Sequence, residues 1–186
     1  RYFLNTPQKD IEQHFRLGLR FGDATIRWSL SKLESAPVTQ VTLVTRDRPG
    51  LFSRMVGVFT VNNLQVLSAS IATLKNGFAF DVYRVTNPLD PLREKEQWEK
   101  IQQDAVLAIE DGADLERRLE TRRLRKMAER GSPVDWIRKV RIDNQATDFF
   151  TCIEISAGQR EGFLYSLAKE MSTLDLDIRF AKVYSD

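Results

Sequence analysis

The sequence predicts an α+β protein, because strand-type and helix-type hydrophobic patterns follow one another along its 186 residues. Val41, Leu43 and Thr45 alternate with other residues as on a half-buried strand. The next apolar residues have the i, i+3, i+4 and i+7 spacing of one helix face: Phe52, Met55, Val56 and Phe59. A chain that is 42% hydrophobic and 29% charged has the composition of an ordinary globular protein.

The pattern continues into two further strands. The pair Asn62–Asn63 ends the predicted helix, and residues 66–73 resume the alternation of a strand. The tripeptide KNG at 75–77 is a strong hairpin signal, since Asn and Gly both tolerate positive φ. It leads into a predicted strand over residues 78–86, which gives the order β-α-β-β.

A second amphipathic helix is predicted after Pro88 and Pro91. Its apolar positions are Trp98, Ile101, Ala105 and Ile109. Val140 and Ile142 then have the spacing of a fourth strand. The sum is β-α-β-β-α-β, the ferredoxin-like arrangement.

Part of this pattern occurs twice, at a separation of 112 residues, so that 41–73 aligns with 153–185 without a gap. Only four of the 33 aligned pairs are identical, so the repeat rests on matched hydrophobic class. The identical pairs are Arg48/Arg160, Gly50/Gly162, Leu64/Leu176 and Ala69/Ala181. We therefore predict a second unit that reaches β-α-β where the sequence stops at Asp186.

Charge and cysteine content exclude several classes of protein. A net charge of +2 is too balanced to indicate binding to nucleic acid or to an anionic membrane. No apolar run approaches the ~20 residues of a membrane span. The single cysteine, Cys152, cannot form an internal disulfide, so we expect a reducing, cytoplasmic setting, and its apolar strand predicts a buried structural thiol.

Two segments resemble the ACT domain family, small ferredoxin-like modules that bind amino acids and regulate enzymes. They are TRDRPGLFSRMVGVFTVNNLQVLSASIAT at 45–73 and KNGFAFDVYRVTNP at 75–88. Together with 140–178, and with a longer second helix, they resemble the C-terminal tandem ACT region of bacterial PII uridylyltransferase/uridylyl-removing enzymes. Residues 1–15 resemble the segment that leads out of the HD-type phosphohydrolase domain in that family.

The resemblance implies three parts. Residues 1–35 would be a helical linker from an upstream catalytic domain, and 36–146 a first ACT domain with an extended helical insertion. Residues 147–186 would be the N-terminal half of a second ACT domain. Since the sequence begins at Arg1 without a leader, we expect a piece of a longer protein whose nucleotidyltransferase and hydrolase domains lie upstream.

We expect no catalytic or metal site within the chain itself. An HD hydrolase needs several histidines and aspartates for its metals, and the sequence holds one histidine, His14. GSPVD at 131–135 and DLD at 175–177 imitate a nucleotidyltransferase's Gly-Ser turn and paired carboxylates, but they fall in different units. We therefore expect no cofactor in this fragment, and Mg²⁺ only in the parent enzyme's catalytic domains.

The TRDRPG loop, residues 45–50, is the predicted ligand site. Gly50 permits a tight turn, and the free N–H groups at the helix start favour an anion such as an amino-acid carboxylate. Asp47 offers an acceptor for the ligand's ammonium group. In a purely structural alternative, Pro49-Gly50 is only a strand-to-helix turn, and Asp47 caps the helix as a hydrogen-bond acceptor.

With the resemblance, the implied ligand is an amino acid, glutamine in particular. The predicted ligand-binding residues are Asp47, Arg48, Pro49, Gly50 and Leu51 in the loop, and Asn62, Asn63 and Gln65 at the far end of the helix. The amides of the second group would meet a polar side chain across an interface between ACT domains. The corresponding residues of the second copy are Gln159, Arg160, Gly162 and Phe163, where we expect weaker binding because Gln159 lacks the charge of Asp47 and Glu161 competes with a bound carboxylate.

The stretch 115–130 is strongly basic, with seven Arg or Lys among sixteen residues against three Glu. A solvated helix face, salt-bridged through Glu116 and Glu120 above a seam that includes Leu115 and Leu119, is its default interpretation. Alternatives are a docking surface for the catalytic domains or for PII and, last, nucleic acid, because the stretch has no aromatic platforms.

Three functions therefore remain open. The first is a regulatory glutamine sensor of an enzyme that modifies PII. The second is an ACT pair that serves only as a scaffold for dimerisation or interdomain contact. The third is the ACT region of another regulated enzyme, in amino-acid biosynthesis or the stringent response. In each case we expect a homodimer, because open sheet edges favour pairing with another chain.

Overall fold

The structure, a computed structural model, describes residues 8–19, 21–34, 36–88, 90–130, 137–158 and 162–184. Its helices are α1 (Gln8–Leu19), α2 (Leu51–Val61), α3 (Glu94–Glu110), α4 (Ala113–Arg130) and α5 (Phe163–Thr173). Its strands are β1 (Ile26–Lys32), β2 (Val38–Arg46), β3 (Val66–Thr73), β4 (Phe78–Thr86), β5 (Ile137–Asp143), β6 (Cys152–Ala157) and β7 (Phe180–Lys182). The fold is α+β, as predicted.

The main sheet has five antiparallel strands in the order β1-β2-β4-β3-β7. The predicted hairpin between β3 and β4 is present: Gly77 has φ 79°, and the Leu74 N–H donates to the Phe78 carbonyl at 2.8 Å. The strands predicted over 66–73 and 78–86 are confirmed.

Helices cover one face of this sheet and part of the other. The larger core lies between the sheet and the α2–α3–α4 layer, with Val41 and Leu43 of β2 and Met55 and Phe59 of α2 all buried. The opposite face holds a smaller cluster of Phe21, Val44 and Phe80, against which Leu17 of α1 packs. The alternation of β2 thus serves two cores, since its successive side chains point to opposite faces.

The helix after the TRDRPG loop, α2, begins and ends where the sequence predicts. Gly50 before it has φ 75°, the left-handed conformation that glycine adopts without strain. Asn62 follows the last helical residue, and Asn63 has φ 62°. Eight residues of α2 are buried, so this helix is the centre of the helical layer.

The predicted long second helix is interrupted. α3 ends at Glu110, and α4 starts after Gly112, whose φ of 79° breaks the helical geometry. The apolar positions predicted for α3 are buried, as are Leu115 and Leu119 of α4, whereas Leu124 is exposed.

The predicted fourth strand was wrong in its placement. Val140 and Ile142 lie on β5, which pairs with β6 in a separate two-stranded sheet. The edge beside β2 is occupied instead by β1, within the stretch 1–35 expected to be a helical linker. Ile26, Trp28 and Leu30 alternate as well as Val140 and Ile142 do, and local periodicity reports that a strand forms but not where it pairs.

The expectation of a buried thiol was also wrong, because Cys152 is exposed. It lies at the start of β6, and both strands of its small sheet are largely exposed, with Val140, Ile142 and Ile153 at the surface. In the part of the chain that the structure describes, no helix has the length and apolarity needed to cross a membrane.

Candidate functional site

Hydrogen bonds to its backbone groups hold the TRDRPG loop at both ends. The Asp47 N–H donates to the Gly77 carbonyl of the neighbouring hairpin at 2.9 Å. At the helix start, the Arg54 N–H and the Ser53 hydroxyl both donate to the Gly50 carbonyl, at 3.0 and 2.8 Å. Asp47 itself is exposed, so its carboxylate remains open to a ligand in solution.

Arg48 of this loop has a structural partner. Its Nη1 donates to the Ile109 carbonyl at 2.6 Å, while Nη1 of Arg54 donates to the Ala108 carbonyl at 2.7 Å. These carbonyls belong to the last turn of α3, where intrahelical donors are lacking and a cation is favoured. Arg48 thereby ties the loop to α3, and Leu51, another predicted ligand residue, is buried in the core.

The start of α2 lies against the end of α5. A Cβ placed on Gly50 would lie 3.5 Å from the Ser172 hydroxyl oxygen. At the opposite end of α2, a Cβ on Gly162, before α5, would lie 3.9 Å from Cγ2 of Thr60. The two helices therefore run antiparallel, and each glycine that starts one helix faces the last turn of the other.

The predicted ligand residues consequently fall into two places. Asp47 to Leu51 lie at one end of α2, and Asn62, Asn63 and Gln65 lie at the other, about 16 Å away at ~1.5 Å per helical residue. Gly162 and Phe163 are on the side of Asn62 and Asn63. The first loop instead faces the end of α5, while Gln159 and Arg160 lie outside the described residues.

Asn62 has partners for most of its polar atoms. Its Nδ2 donates to the Val58 carbonyl at 2.9 Å and to Oδ2 of Asp104 at 2.8 Å, and its Oδ1 accepts from Lys100 at 2.9 Å. Asn63 accepts a hydrogen bond from Arg122 through its Oδ1. Both amides thus join α2 to the following helices.

Asp104 is the centre of this network. Nη1 and Nη2 of Arg118 donate to its two oxygens at 2.8 and 3.0 Å, and Lys100 donates at 2.8 Å. Desolvation raises the pKa of the Asp104 carboxyl, but the hydrogen bonds from Arg118, Lys100 and Asn62 outweigh it, so the pKa lies below its ordinary value. Arg118 of the basic stretch therefore joins α4 to α3, which the default interpretation of a solvated helix face did not expect. The ion pair between Arg123 and Glu120 within α4 agrees with that interpretation.

The offset of 112 residues recurs in the structure. Adding 112 to both residue numbers of the β1–β2 pair Leu30↔Val41 gives the β5–β6 pair Ile142↔Ile153. Bonds after the helices correspond as well: Leu64 N–H to Phe59 carbonyl, and Leu176 N–H to Met171 carbonyl, each at 2.9 Å. The residues with positive φ at these two turns are Asn63 and Asp175.

The pairing of β3 with β7 is reciprocal under the same offset. Ala69 pairs with Ala181, which is its own counterpart. The Ile71 N–H donates to the Arg179 carbonyl at 3.0 Å, and the Val183 N–H donates to the Leu67 carbonyl at 2.9 Å. Under the offset of 112 residues, Val183 is the counterpart of Ile71 and Arg179 is the counterpart of Leu67, so the two bonds are equivalent. The segments 67–71 and 179–183 are therefore related by an approximate two-fold axis.

The sequence analysis missed Asp81, a fully buried carboxyl on β4. Its Oδ2 accepts from the Tyr83 hydroxyl at 3.0 Å, and its Oδ1 has no hydrogen-bond partner. Desolvation, assisted by the negative charge of Asp47, raises the pKa of Asp81 to about 7, although hydrogen bonds from Tyr83 and the Ala72 backbone act in the opposite direction. A single acidic residue inside the apolar strand FAFDVYRVT was the available signal.

Within the described ranges, no group of three or more His, Cys, Asp and Glu side chains could hold a metal ion. Residues 131–135 lie outside those ranges. Asp175 and Asp177 follow α5 in the predicted turn, where Asp177 forms an ion pair with Arg179.

Comparison with known proteins gives one consistent result. A protein from Rhodospirillum rubrum is 28% identical over 185 residues, which cover 98% of this chain. A protein from Erythrobacter litoralis is 33% identical over 139 residues, 74% of this chain, and one from Burkholderia orbicola is 25% identical over 185 residues. All three are bifunctional uridylyltransferase/uridylyl-removing enzymes.

This chain is homologous to a segment of the bifunctional uridylyltransferase/uridylyl-removing enzymes. It spans about a fifth of the length of these relatives, between 15% and 21% in the three cases. No protein-family model and no solved structure matches the chain.

Proposed function

We propose that this chain is a regulatory, glutamine-sensing region of an enzyme that adds uridylyl groups to the PII protein and removes them. The names of the relatives support the link to uridylyl transfer and removal over an enzyme of amino-acid biosynthesis or the stringent response. The parent enzyme's activities, its Mg²⁺, its cytoplasmic setting and PII as its partner are parts of this proposal.

Two ACT-like units within one chain are the proposed architecture. The common offset of the two hairpins, of the turns after α2 and α5, and of the β3–β7 bonds supports a duplication. In this interpretation β1 and β5 are the first strands of the two units. The order predicted from the sequence, β-α-β-β-α-β, began instead with the strand that contains Val41.

The observation that carries the proposed binding function is the position of the TRDRPG loop against the second unit. The loop presents the exposed carboxylate of Asp47 and the start of α2 beside Ser172 at the end of α5. A carboxylate can accept a hydrogen bond from an ammonium group, and a helix start favours a carboxylate. A free amino acid carries both groups, and glutamine adds an amide that a hydroxyl can bind.

Isothermal titration of the chain with glutamine tests this function. Saturable heat, with weaker or no heat from asparagine and glutamate, is the expected result. A complete absence of saturable heat at millimolar glutamine, together with an intact fold by circular dichroism, would show that the chain is not the sensor.

A scaffold is the second candidate, and the use of Arg48, Asn62 and Asn63 as internal bonding partners favours it. A scaffold would dock the catalytic domains, bind PII through α4 or form a homodimer without taking up a ligand. Adding the chain in trans to a parent enzyme separates the two. A sensor makes the effect on uridylyl transfer depend on glutamine, whereas a scaffold acts equally with and without it.

The chain alone is expected neither to transfer uridylyl groups to PII nor to remove them. Phosphoryl chemistry of this kind depends on clustered carboxylates and histidines that hold metal ions. Detectable turnover by the purified chain with Mg²⁺ would refute this expectation.

A further inference from the structure

The face of the main sheet that lies away from the helical layer is covered only in part. α1 contacts β1 and β2 there, and its Leu17 packs against the cluster that contains Phe80. Toward β3 and β7 the same face is open, since Ser70 of β3 and Arg84 of β4 are exposed and Phe180 of β7 is 64% exposed. This part of the sheet is therefore a surface that a ligand can reach.

The strand register brings six side chains together on this surface. They form two rows across β4, β3 and β7, which we call the open sheet face: Arg84, Ser68 and Lys182 in one row, and Val82, Ser70 and Phe180 in the other. Tyr83 and Ala69 lie between the rows in sequence and are buried toward the helical layer, as the alternation of a strand requires.

The two cations of the open sheet face are placed to share one anion. Neighbouring strands are ~4.8 Å apart, so the Cα atoms of Arg84 and Lys182 are separated by about 10 Å, with Ser68 between them. Both side chains are long enough to converge above Ser68. The Ser68 hydroxyl can add a hydrogen bond to the same anion.

The charge on this side of the sheet is entirely positive. The five strands of the main sheet contain a single acidic residue, Asp81, and its pairing with Leu43 places it on the helical face. Arg84 and Lys182 form no ion pair with any of the described residues; the Lys182 ammonium lies 4.8 Å from the centroid of the Tyr184 ring. Cations without carboxylate partners on such a face favour an anionic ligand.

Exposed aromatic rings flank these cations. Phe180 precedes Lys182 by two residues on β7, a Cα separation of about 7 Å on one face of a strand, and Tyr184 follows it by two. Their side chains are highly exposed, at 64% and 77%. Aromatic rings beside Arg and Lys on a sheet surface stack nucleobases while the cations hold phosphates. A partner that carried only carboxylates would leave the rings unused.

We propose that the open sheet face binds a nucleotide, with its phosphate between Arg84 and Lys182 and its base stacked on Phe180. A nucleotide carries these two groups one sugar apart, which suits side chains two residues apart on one strand. The source of the nucleotide rests on the proposed function: it is the uridylyl group that the parent enzyme attaches to PII. The glutamine site proposed at the start of α2 belongs to the helical layer, on the other side of the sheet.

NMR titration of the whole chain with UMP tests this binding. We expect saturable shifts of the backbone amides of residues 68–70, 82–84 and 180–184 at millimolar UMP. Uridine lacks the phosphate and inorganic phosphate lacks the base, so each should bind at least about tenfold more weakly. The absence of saturable shifts with UMP, or an affinity for inorganic phosphate equal to that for UMP, would overturn the proposal.

Two pairs of variants test the base and phosphate contacts separately. Phe180→Ala should weaken UMP binding about tenfold, whereas Leu92→Ala, which truncates a 97% exposed side chain before α3, should leave it unchanged. Arg84→Gln should also weaken it about tenfold, whereas Lys75→Gln removes an exposed charge from the β3–β4 turn without effect. All four side chains are at the surface, so circular dichroism should show an intact fold. Equal affinities within either pair would contradict the assigned contacts.

A carboxylate-rich protein is the competing occupant of this face. A glutamate-rich peptide that shifts the same amides at lower concentration than UMP would show that the face binds carboxylates and would overturn the nucleotide site. Uridylylated PII should shift these amides, and unmodified PII should not. Equal shifts from both forms of PII would refute the uridylyl group as the ligand.

Because the UMP titrations contain no glutamine, this proposal and the sensor function fail separately. Heat from glutamine without shifts from UMP leaves the sensor intact and overturns the nucleotide site. Shifts from UMP without heat from glutamine support the nucleotide site and refute the sensor.

Discussion

The hydroxyl of Tyr83 donates a 3.0 Å hydrogen bond to Oδ2 of Asp81, and both side chains are fully buried in the main core. The ring of Tyr83 is stacked on Phe52 at a centroid distance of 6.2 Å, which fixes the direction of its hydroxyl. This bond favours the carboxylate, but desolvation outweighs it. The core therefore contains an acid whose ionisation opposes folding.

Replacing Asp81 by Asn should stabilise the protein above neutral pH. The pKa of Asp81 is raised from 3.8 to about 7, so the folded state binds the proton more tightly than the unfolded state. Wild-type stability should fall as the pH rises from about 4 to about 7, whereas Asp81→Asn should lack this part of the decline. At pH 8 we expect a gain in the free energy of unfolding of about 1–3 kcal/mol. This is less than the whole pKa shift would give at ~1.4 kcal/mol per pKa unit, because the new amide is not fully hydrogen-bonded. Urea unfolding at pH 5 and pH 8 checks this, and a loss of stability at pH 8 would contradict it.

Asp104→Asn should have the opposite pH dependence. The pKa of Asp104 is lowered in the folded state, so its contribution is present above the ordinary carboxyl pKa of 3.8 and is lost as the pH falls below that value. Removing the charge also leaves Arg118 without its bidentate partner. We expect a loss of about 1–3 kcal/mol at pH 7 that shrinks in acid. Chemical unfolding at pH 7 and pH 3 measures both values.

Gly57→Ala should destabilise the helical layer, although alanine is the better helix former by about 1 kcal/mol. A Cβ at Gly57 would lie 3.0 Å from Leu115 Cδ2 and 3.0 Å from the Tyr165 ring, so α4 and α5 would have to shift. Gly18→Ala in α1 is the matched control, because its Cβ would lie 3.4 Å from Phe80, at ordinary contact distance. Thermal unfolding should show a lower Tm for the first variant and an equal or higher Tm for the second. An increase with Gly57→Ala would mean that α5 does not pack closely on α2.

Asp47→Ala should weaken glutamine binding by roughly ten- to a hundredfold, the effect of losing a charge-assisted hydrogen bond of about 1.5–3 kcal/mol. Asp148→Ala removes the same charge from an exposed turn remote in sequence and should leave affinity unchanged. Titration calorimetry gives both dissociation constants. Equal losses in the two variants would mean that the carboxylate of Asp47 acts only through net charge.

Val183→Pro should open the contact between β3 and β7. The Val183 N–H donates to the Leu67 carbonyl at 2.9 Å, and proline cannot make this bond. Because the reciprocal bond from the Ile71 N–H lies in the same three-residue ladder, its amide should also exchange faster. Hydrogen exchange by NMR should show slow exchange at Ile71 in the wild type and fast exchange in the variant, with Val41 unaffected. Fast exchange at Ile71 in the wild type would contradict the pairing.

Local order could be predicted from the sequence, and pairing over long distances could not. The turn at Gly77, the left-handed Gly50 and the end of α2 at Asn62 follow from conformational preferences of the residues themselves. The edge beside β2 was assigned to the strand at Val140 instead of β1, because both candidates have the same alternation. Which edge a strand occupies depends on the packing of the whole sheet.

In the candidate site too, the local conformation could be predicted from the sequence and the long-range contacts could not. The loop at Asp47–Gly50 could be predicted from its composition and its position between a strand and a helix. The grouping of Asn62 with that loop could not be tested by sequence, since it depends on which end of α2 meets α5. Asp81 was missed because the sequence of an apolar strand does not show whether a carboxyl in it is buried or which hydrogen-bond partner it finds in the folded protein.

The reciprocal pairing of Ala69 with Ala181 is made within one polypeptide. Two separate copies of such a unit would have to find each other by diffusion, and their association would vanish on dilution. Here the connecting chain holds the second edge near the first at an effective concentration that does not change with the amount of protein in the cell. A binding site formed where α2 meets α5 would consequently report the level of its ligand alone, and not the level of the protein that carries it.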